Sequence, residues 1–492
     1  MIWKILLIVA FFALSVMIGL IYRKKSSSAD EFNLGGRNVG PWLSAFAYGT
    51  TYFSATIFVG FSGQYGWTYG LSAVWIGLGN ALIGSLFAWM VLGTRTRIMT
   101  KHLSSATMPE FFAKRYDSKP LKILASVIIF IFLVPYTASV YKGLSSMFAL
   151  SFNIDFTWCI IGTGLLTAIY VVAGGYMGTA VNSFIQGIIM LFGIGMVVIA
   201  TLNGQGGFTE AVNQLSTFKS DLNPSLSGAF VSMFGPDPLN LLAVVILTSL
   251  GTWGLPQMIH KFYAIRDEKA VKKGMLISTV FAIFIAGGSY FMGAFGKLYY
   301  SADTIVYDDI IPTIVSKTLP DIAIGVVLIV VLSASISTLA SLVMTSATTF
   351  ISDFIKTITK KMEPKKEVLF TRIMCAAFIV VSVVIALRPN SLITSLMSLS
   401  WGTLAGAFLG PFIYGLFWRK TTTLSIYVSL ISGVAINVAN FFGGFTTPPI
   451  AGAVAMIFSL IIVPVVSIIT PKLEKSKVDG MFECFDNKAV NK

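Results

Sequence analysis

The chain has 492 residues, of which 55% are hydrophobic and only 11% are charged, and its formal net charge is +14. A soluble domain carries about 25% charged residues, so this composition excludes a soluble enzyme. The excess of Lys and Arg would suggest nucleic-acid binding in a soluble protein. Here the basic residues cluster between long apolar runs, so we expect a lipid bilayer as the partner and no nucleic acid.

An apolar run of about 20 residues can cross the hydrocarbon core of a membrane as a helix, and the chain contains thirteen such runs. They predict an all-α fold, a polytopic membrane protein with about 13 transmembrane helices. Because they leave no room for a soluble domain, residues 1–472 are expected to form one transmembrane domain and residues 473–492 a cytoplasmic tail. The predicted spans are 2–22, 41–65, 69–94, 123–150, 156–174, 179–201, 239–262, 274–298, 321–349, 368–388, 391–417, 423–443 and 448–470.

The basic residues also predict how the chain is oriented. Links with many Lys and Arg stay on the cytoplasmic side of a membrane. With thirteen spans in the plasma (inner) membrane, this rule places the N-terminus outside and the C-terminus in the cytoplasm. The first span has its basic cluster after the apolar run and no convincing cleavage site, so it is expected to be a retained helix. The basic clusters lie in alternate links, at 23–25, 95–122, 266–273, 356–366, 419–420 and 472–477.

Two spans are rich in Ser, Thr and Gly, at 44–65 and 332–349. One interpretation is close packing, since small hydroxyl residues let transmembrane helices approach each other. The other is that both helices break in mid-membrane, which is tolerated where the backbone lines a cavity. A third segment, TWGLPQ at 252–257, holds Gly and Pro as helix breakers. Broken helices in corresponding places of two halves are typical of transporters built from inverted repeats.

Acidic residues are missing from the middle of the spans: all 21 lie in links, tails or span ends. Carriers driven by protons usually need a titratable group within the membrane. The two histidines, His102 and His260, lie in a link and at the end of a span. A coupling ion is therefore expected to be bound by carbonyl and hydroxyl oxygens, which favours sodium over protons.

Lys142 is the basic residue that lies inside a span, and two interpretations of it stay open. An intramembrane charge is expensive and usually functional, so Lys142 could anchor a substrate carboxylate. Alternatively, it lies about 28 Å along the helix from Ile123, where a long side chain can extend to water.

Several other polar and aromatic side chains lie inside the spans near the expected breaks. Aromatic residues in membranes usually serve packing or the interfacial belt, and their position beside the breaks makes some of them pocket candidates. With Lys142, the candidate substrate contacts are Tyr52, Ser54, Tyr136, Trp253, Gln257 and Trp401.

Two other classes of membrane protein fit the sequence less well. A channel would need a continuous polar pore, whereas the polar positions here are local. A membrane enzyme would need an acid–base pair, a nucleophile or a metal cluster within the spans, and no Asp, Glu or His lies well inside one. The chain is therefore expected not to be an enzyme.

Five motifs resemble the sodium:solute symporter family, whose members carry proline, pantothenate, sialic acid, monocarboxylates and sugars. They occur in the family's order across nearly the whole chain. They are FNLGGRNVGPWLSAF, ATMPEFFAKRY, AGGYMGTAVNSFIQG, LSASISTLASLVMTSATTFISDF and GAFLGPFIYGLFWRKTT.

The resemblance implies a leucine-transporter-type fold with two inverted repeats of five helices, at about 41–201 and 239–417, and extra helices at 2–22 and 423–470. It implies alternating-access symport of sodium with a small organic solute, with a monomer as the functional unit. A carboxylate-bearing solute is expected, such as an amino acid, pantothenate, sialic acid or a monocarboxylate. The alternatives are a sodium-coupled sugar symporter, or a proton-coupled or sensor-type protein of the same fold.

The resemblance also implies one sodium site between spans 41–65 and 321–349. Carried over by position, its ligands are the backbone carbonyls of Thr50, Phe53 and Ala334 and the hydroxyls of Ser337 and Thr338.

Three positions depart from the family pattern. Ser183 stands where members often have Asp, and Ala340 stands at the first of the serines that form a second sodium site, so a single sodium is predicted. Tyr52 stands where the proline carrier has Asp, which argues against a specific proline assignment.

Overall fold

The computed structural model describes residues 2–23, 34–300, 306–359, 362–388 and 392–490. In this part of the chain the regular structure is helical, apart from one isolated parallel bridge between Val39 and Ile265. The predicted all-α fold is therefore confirmed. The helices are α1 (Ile2–Arg23), α2 (Pro41–Tyr52), α3 (56–69), α4 (74–102), α5 (Met108–Arg115), α6 (Lys119–Phe152), α7 (Phe156–Asn203), α8 (Phe208–Ser216), α9 (Pro238–Leu250), α10 (Pro256–Ala264), α11 (Glu268–Ala294), α12 (Gly296–Tyr299), α13 (Ile310–Thr318), α14 (Asp321–Thr359), α15 (Pro364–Ala386), α16 (Ile393–Phe417), α17 (Thr423–Gly443), α18 (Pro448–Ile469) and α19 (Lys475–Val490).

Ten helical segments in the described residues are long and apolar enough to cross a membrane, so the chain is a multi-pass membrane protein. One of them, Thr56–His102, comprises α3 and α4. The chain turns back between these helices at Gly70, whose φ of +61° suits glycine because it has no Cβ. The reversal brings α4 alongside α2, where the Tyr48 hydroxyl donates to the Gly84 carbonyl at 2.6 Å.

Helix α7 joins two predicted spans, 156–174 and 179–201, without an interruption of its helical backbone. Thr163, in its first part, lies 3.5 Å from Ser145 of α6. Its last turns meet α12, where the Thr201 carbonyl accepts from the Tyr299 hydroxyl. Between these two places, Tyr176 packs edge-on against His260, with the ring centroids 5.6 Å apart.

The basic links are brought together at one end of the helices, which we call the basic end. There the Arg97 guanidinium donates to the Ile265 carbonyl at 3.0 Å, and Lys122 pairs with Asp353 at 3.0 Å. Arg115 is fully buried and donates to carbonyls at the end of α16. Residues 24, 25, 360 and 361 of the predicted basic clusters lie outside the described residues.

The C-terminal segment predicted as a tail contains a helix, α19, that packs on the basic end. Arg419 pairs with Asp479 at 2.9 Å and with Asp486 at 2.6 Å. Lys477 pairs with Asp117 at 2.7 Å. These ion pairs connect α19 to the links before α6 and α17.

The opposite end carries the links at 204–237 and 306–320. The sequence predicts no fold for the first of these, but it contains α8, whose Ala211 and Leu215 pack with Phe230 and Phe295. A nine-residue amphipathic segment is too short to stand out against the long apolar runs around it, and tertiary packing decides its structure.

Two of the three expected helix breaks are present. The first separates α2 from α3 at Phe53 and Ser54, where Phe53 leaves the helical region with φ −102° and ψ 89°. The second separates α9 from α10, where Leu255 is extended before Pro256. A residue before proline is disfavoured in the α region, which explains why this break falls at TWGLPQ.

At Ser337 and Thr338 the structure agrees with the close-packing interpretation of span 332–349 and not with a break, because α14 is helical through both residues. Its hydroxyls can bond within the same helix: Ser335 Oγ donates to the Val331 carbonyl at 2.7 Å, and Thr338 Oγ1 lies 3.0 Å from the Ala334 carbonyl. Ser and Thr can satisfy their hydroxyls in this way without ending a helix. No Gly or Pro lies between residues 326 and 359 to force a break.

Candidate functional site

The first helix break faces the middle of α14, and five oxygen-bearing positions lie around this contact. The Ser337 and Thr338 hydroxyls both approach the Thr50 carbonyl, at 3.1 and 3.0 Å. They also lie 3.4 and 3.0 Å from the Ala334 carbonyl. The fifth position, Phe53, directly follows the last residue of α2 and lies at the break.

The break explains why backbone oxygen is present here at all. Inside a helix each carbonyl accepts from the amide four residues later, so it has little capacity for an ion. The carbonyls of the last turn have no such partner, and Thr50 uses its oxygen to meet two hydroxyls of α14 instead. The two carbonyls, the two hydroxyls and the end of α2 form a neutral, oxygen-rich cluster. Oxygen atoms are the ligands that a hard cation prefers.

Two hydroxyls extend this cluster towards the basic end. Thr51 Oγ1 lies 3.0 Å from Ser341 Oγ, and the Thr51 carbonyl lies 3.2 Å from Thr338 Oγ1. Ser341 also accepts from the Lys261 ammonium at 2.9 Å. Sequence reasoning missed Thr51, Ser341 and Lys261, since Lys261 lies near the end of a span and resembles an ordinary interfacial lysine.

An aromatic cluster adjoins the first break. The rings of Tyr52 and Phe53 stack with centroids 4.3 Å apart. Trp401 lies 5.9 Å from Tyr52 and meets Tyr136 edge-on at 5.7 Å. The structure therefore brings together three of the predicted substrate contacts, contributed by α2, α6 and α16.

Several polar atoms near this cluster are buried without a hydrogen-bond partner. They are the Tyr136 hydroxyl, the indole nitrogen of Trp401 and both amide atoms of Gln257. Buried polar groups are usually paired, and leaving one unpaired costs about 1–3 kcal/mol. Such atoms around a helix break are ready to bind a polar ligand.

Other predicted contacts are already engaged by the protein. The Tyr52 hydroxyl donates to the Thr248 carbonyl at 2.5 Å, and the Trp253 indole donates to the Ile83 carbonyl at 2.9 Å. Ser54 Oγ accepts from the Thr56 amide at 3.3 Å. These polar atoms hold the two broken helices in place, although their side chains can still form walls of a pocket.

Lys142 lies apart from the aromatic cluster. Its ammonium donates to the Arg388 carbonyl at 2.8 Å. One turn further along α6, the Ser146 hydroxyl donates to the Asp308 carbonyl at 3.0 Å. Lys142 is therefore bound within the end opposite the basic end, beside the link that carries Asp308.

A small cavity connects the oxygen cluster with the inner face of α7. It is lined by residues from both sides of the first break, among them Phe53, Ser54 and Ala334, and by Met190. One helical turn from Met190, Gln186 is buried with neither amide atom paired. A buried glutamine on an apolar helix is visible in the sequence, and Gln186 could have been found as a pocket candidate on that ground.

The two broken helices beside an unbroken, hydroxyl-rich helix define the architecture of a secondary transporter. Residues 32–433 match the model of the sodium:solute symporter family, and the chain belongs to that family. It is a membrane transporter and not an enzyme, and sodium is the coupling ion of its family.

Curated relatives cover most of the chain. A sodium/proline symporter of Staphylococcus aureus is 27% identical over 459 residues, which are 89% of this chain and 85% of the relative. The osmoregulated proline transporter OpuE of Bacillus subtilis (strain 168) is 28% identical over 432 residues, 86% of each chain.

Solved structures share the fold. A Na⁺-coupled sialic acid symporter in a substrate-bound, outward-open state superposes with a TM-score of 0.76 at 16% identity, covering 96% of this chain and 99% of that one. Mhp1, a nucleobase-cation-symport-1 transporter, has a TM-score of 0.55 at 13% identity, covering 93% and 98%. The fold is the leucine-transporter type, as the family resemblance implies.

Proposed function

We propose that one sodium ion binds between α2 and α14, at the carbonyls of Thr50, Phe53 and Ala334 and the hydroxyls of Ser337 and Thr338. The observation that carries this proposal is the convergence of both hydroxyls on the Thr50 carbonyl. With sodium bound, the hydroxyl protons turn away and the oxygens face the ion. The site ties a broken helix of one repeat to an unbroken helix of the other, so occupancy of the site affects how the two pack.

The solute binds, in this proposal, beside the aromatic cluster and is a small carboxylate-bearing molecule. Both α3 and α10 begin at a break, so both point the positive end of a helix dipole at this region. Tyr136, Trp401 and Gln257 add unpaired donors. Recognition of the carboxylate then uses helix ends and neutral donors, and the ring of Tyr52 forms a wall for the apolar part.

Transport follows from these two sites by alternating access. Sodium binds first and stabilises an outward-open arrangement, and the solute then binds and the repeats rock to expose both to the cytoplasm. The membrane potential contributes about 2.3 kcal/mol per charge per 100 mV. The proposal assigns the basic end to the cytoplasm and a monomer to each transport cycle.

The test is sodium-dependent thermal stabilisation of the purified protein, followed by uptake in proteoliposomes. A ligand at 100 times its Kd stabilises the folded state by about 2.7 kcal/mol. We expect sodium, but not potassium, to raise the Tm of the wild type, and the double variant Ser337→Ala with Thr338→Ala to lose this response.

The matched control is Ser335→Ala on the same helix, because its hydroxyl donates to Val331 and not across to α2. This variant should respond to sodium as the wild type does. Equal sodium stabilisation in the double variant would show that the ion binds elsewhere. A solute panel in saturating sodium then covers amino acids, pantothenate, sialic acid, monocarboxylates and sugars, and uptake of a sugar alone would contradict the carboxylate assignment.

A further inference from the structure

Lys261 is a buried lysine in α10, the half of the second broken helix nearer the basic end. Its side chain is 6% exposed. The ammonium donates to Ser341 at 2.9 Å and lies 5.4 Å from the centre of the Tyr176 ring. In the part of the chain that the structure describes, no carboxylate forms an ion pair with it. A buried cation held by a hydroxyl and an aromatic face is costly in a membrane and marks a functional position.

The position of this ammonium relative to the proposed sodium site gives it a role. Ser341 lies 3.0 Å from the Thr51 hydroxyl. The Thr51 carbonyl in turn lies 3.2 Å from the hydroxyl of Thr338, one of the proposed sodium ligands. Two hydroxyl groups therefore separate the tethered ammonium from the ion site, and both lie in the interior, where screening by water and salt is weak.

The surroundings of Lys261 contain oxygen acceptors but no negative charge to hold a free ion. Thr179 of α7 lines the same small cavity as Lys261 and Ser341. Ser183 lies one helical turn along α7 from Thr179 and is buried, and Ala340 next to Ser341 contributes no oxygen. A metal cation there would meet hydroxyls alone, whereas the ammonium of Lys261 is already tethered.

We propose that the Lys261 ammonium takes the place of a second coupling cation and lowers the sodium affinity of the neighbouring site by electrostatic repulsion. This inference rests on the proposed sodium site at Ser337 and Thr338. It follows that one sodium is bound per protein and that the charge of residue 261, not its size, tunes the sodium Kd.

The experiment measures sodium binding to the purified full-length protein for the wild type, Lys261→Met and Lys261→Arg. Two unit charges about 10 Å apart at an effective dielectric of about 20 repel strongly enough to change an affinity on the order of tenfold. We expect Lys261→Met to bind sodium about tenfold more tightly, and Lys261→Arg to stay close to the wild type. Lys261→Gln repeats the charge removal should the Met variant not fold.

The matched control is Lys297→Met, because the Lys297 ammonium also lies over aromatic rings, 4.0 Å from the centre of Trp67 and 4.4 Å from that of Phe230. Lys297 lies near the end opposite the basic end, so its replacement should leave the sodium Kd unchanged. Counting bound radioactive sodium at saturation should give one ion per wild-type protein. Two ions in the wild type, or an unchanged Kd in a folded neutral variant, would overturn the inference.

These outcomes are separable from failure of the proposed function. If the wild type does not bind sodium, the ion site itself is wrong. A second outcome is that the wild type binds sodium, the Ser337→Ala, Thr338→Ala variant does not, and Lys261→Met binds it as tightly as the wild type. In that case the sodium site stands and only the role of Lys261 fails.

Discussion

Trp401 contacts two of the other candidate substrate residues, Tyr52 and Tyr136, and carries an unpaired indole nitrogen. Its ring explains the packing of the cluster, but packing alone would not require a buried donor without a partner. The nitrogen is therefore a candidate donor to a bound solute.

Replacing this donor without removing the ring tests that interpretation. Trp401→Phe should raise the solute KM about twofold to tenfold, because one hydrogen bond contributes about 0.5–1.5 kcal/mol, and it should leave the sodium Kd unchanged. The measurement is sodium-driven uptake in proteoliposomes. Trp75→Phe is the control, since its indole donates to the Met233 carbonyl in an exposed position. Equal KM values for Trp401→Phe and the control would exclude Trp401 from solute binding.

Asp308, in the link at the end opposite the basic end, is a titratable residue whose charge affects stability. Burial raises its pKa to about 6, although the Ile393 amide and the Lys142 ammonium lower it, and Asp309 raises it. The folded state therefore holds this proton more tightly than the unfolded state does. The contribution of Asp308 to the stability of the folded state is therefore largest below about pH 4. It falls as the pH rises towards 6, where the carboxyl ionises in its buried position.

Asp308→Asn removes this titration. We expect the Tm of the variant to change less between pH 4.5 and pH 7 than that of the wild type, with the variant gaining at pH 7. Glu210→Gln serves as the control, because Glu210 is exposed on α8 at the same end. A variant whose pH dependence matches that of the wild type would show that Asp308 is not the group responsible.

At the level of the helices, a close contact between backbones holds α3 against α11. Gly66 of α3 packs on Gly293 of α11 so closely that a Cβ on Gly66 would lie 2.1 Å from the Gly293 carbonyl carbon. Small residues at such crossings let transmembrane helices approach each other. The contact joins α3, the second half of the first broken helix, to α11.

Gly66→Ala should therefore lower thermal stability by about 1–3 kcal/mol, the usual cost of overpacking a close contact, with a corresponding fall in Tm. The same change at Gly195 of α7 is the control, because a Cβ there would meet nothing within 4 Å. A Tm for Gly66→Ala equal to that of Gly195→Ala would mean that the helices separate at this crossing without cost.

At the scale of the whole molecule, charge separates the two ends. The basic links and α19 gather at one end, and their arginines cap carbonyls or pair with acids there. This clustering is what the positive-inside rule expects of a cytoplasmic face, and it supports the proposed orientation.

Cysteine labelling tests the orientation. In a variant whose three native cysteines are replaced by Ser, Leu222→Cys should react with an impermeant maleimide in intact cells. Ser476→Cys in α19 should react only after the membrane is opened. Both positions are exposed, so access is decided by the side of the membrane. The reverse pattern would invert the predicted topology.

Composition and local sequence patterns are enough to predict the class of this protein. A chain with 11% charged residues and repeated long apolar runs can satisfy its backbone in a membrane only as helices. The helix breaks at 53–54 and 255 were also predictable, because Gly, Pro and clustered hydroxyls are local signals. The motifs implied the family that residues 32–433 match.

The tertiary structure decided which polar groups meet. The Ser335 hydroxyl bonds within α14 and the Ser337 hydroxyl reaches Thr50, and the sequence does not show which of them faces α2. Lys261 and Ser341 are 80 residues apart, and Lys142 is bound at one end and not in the aromatic cluster. Such pairings depend on how helices pack against each other, and hydropathy carries no information about contacts between residues distant in the chain.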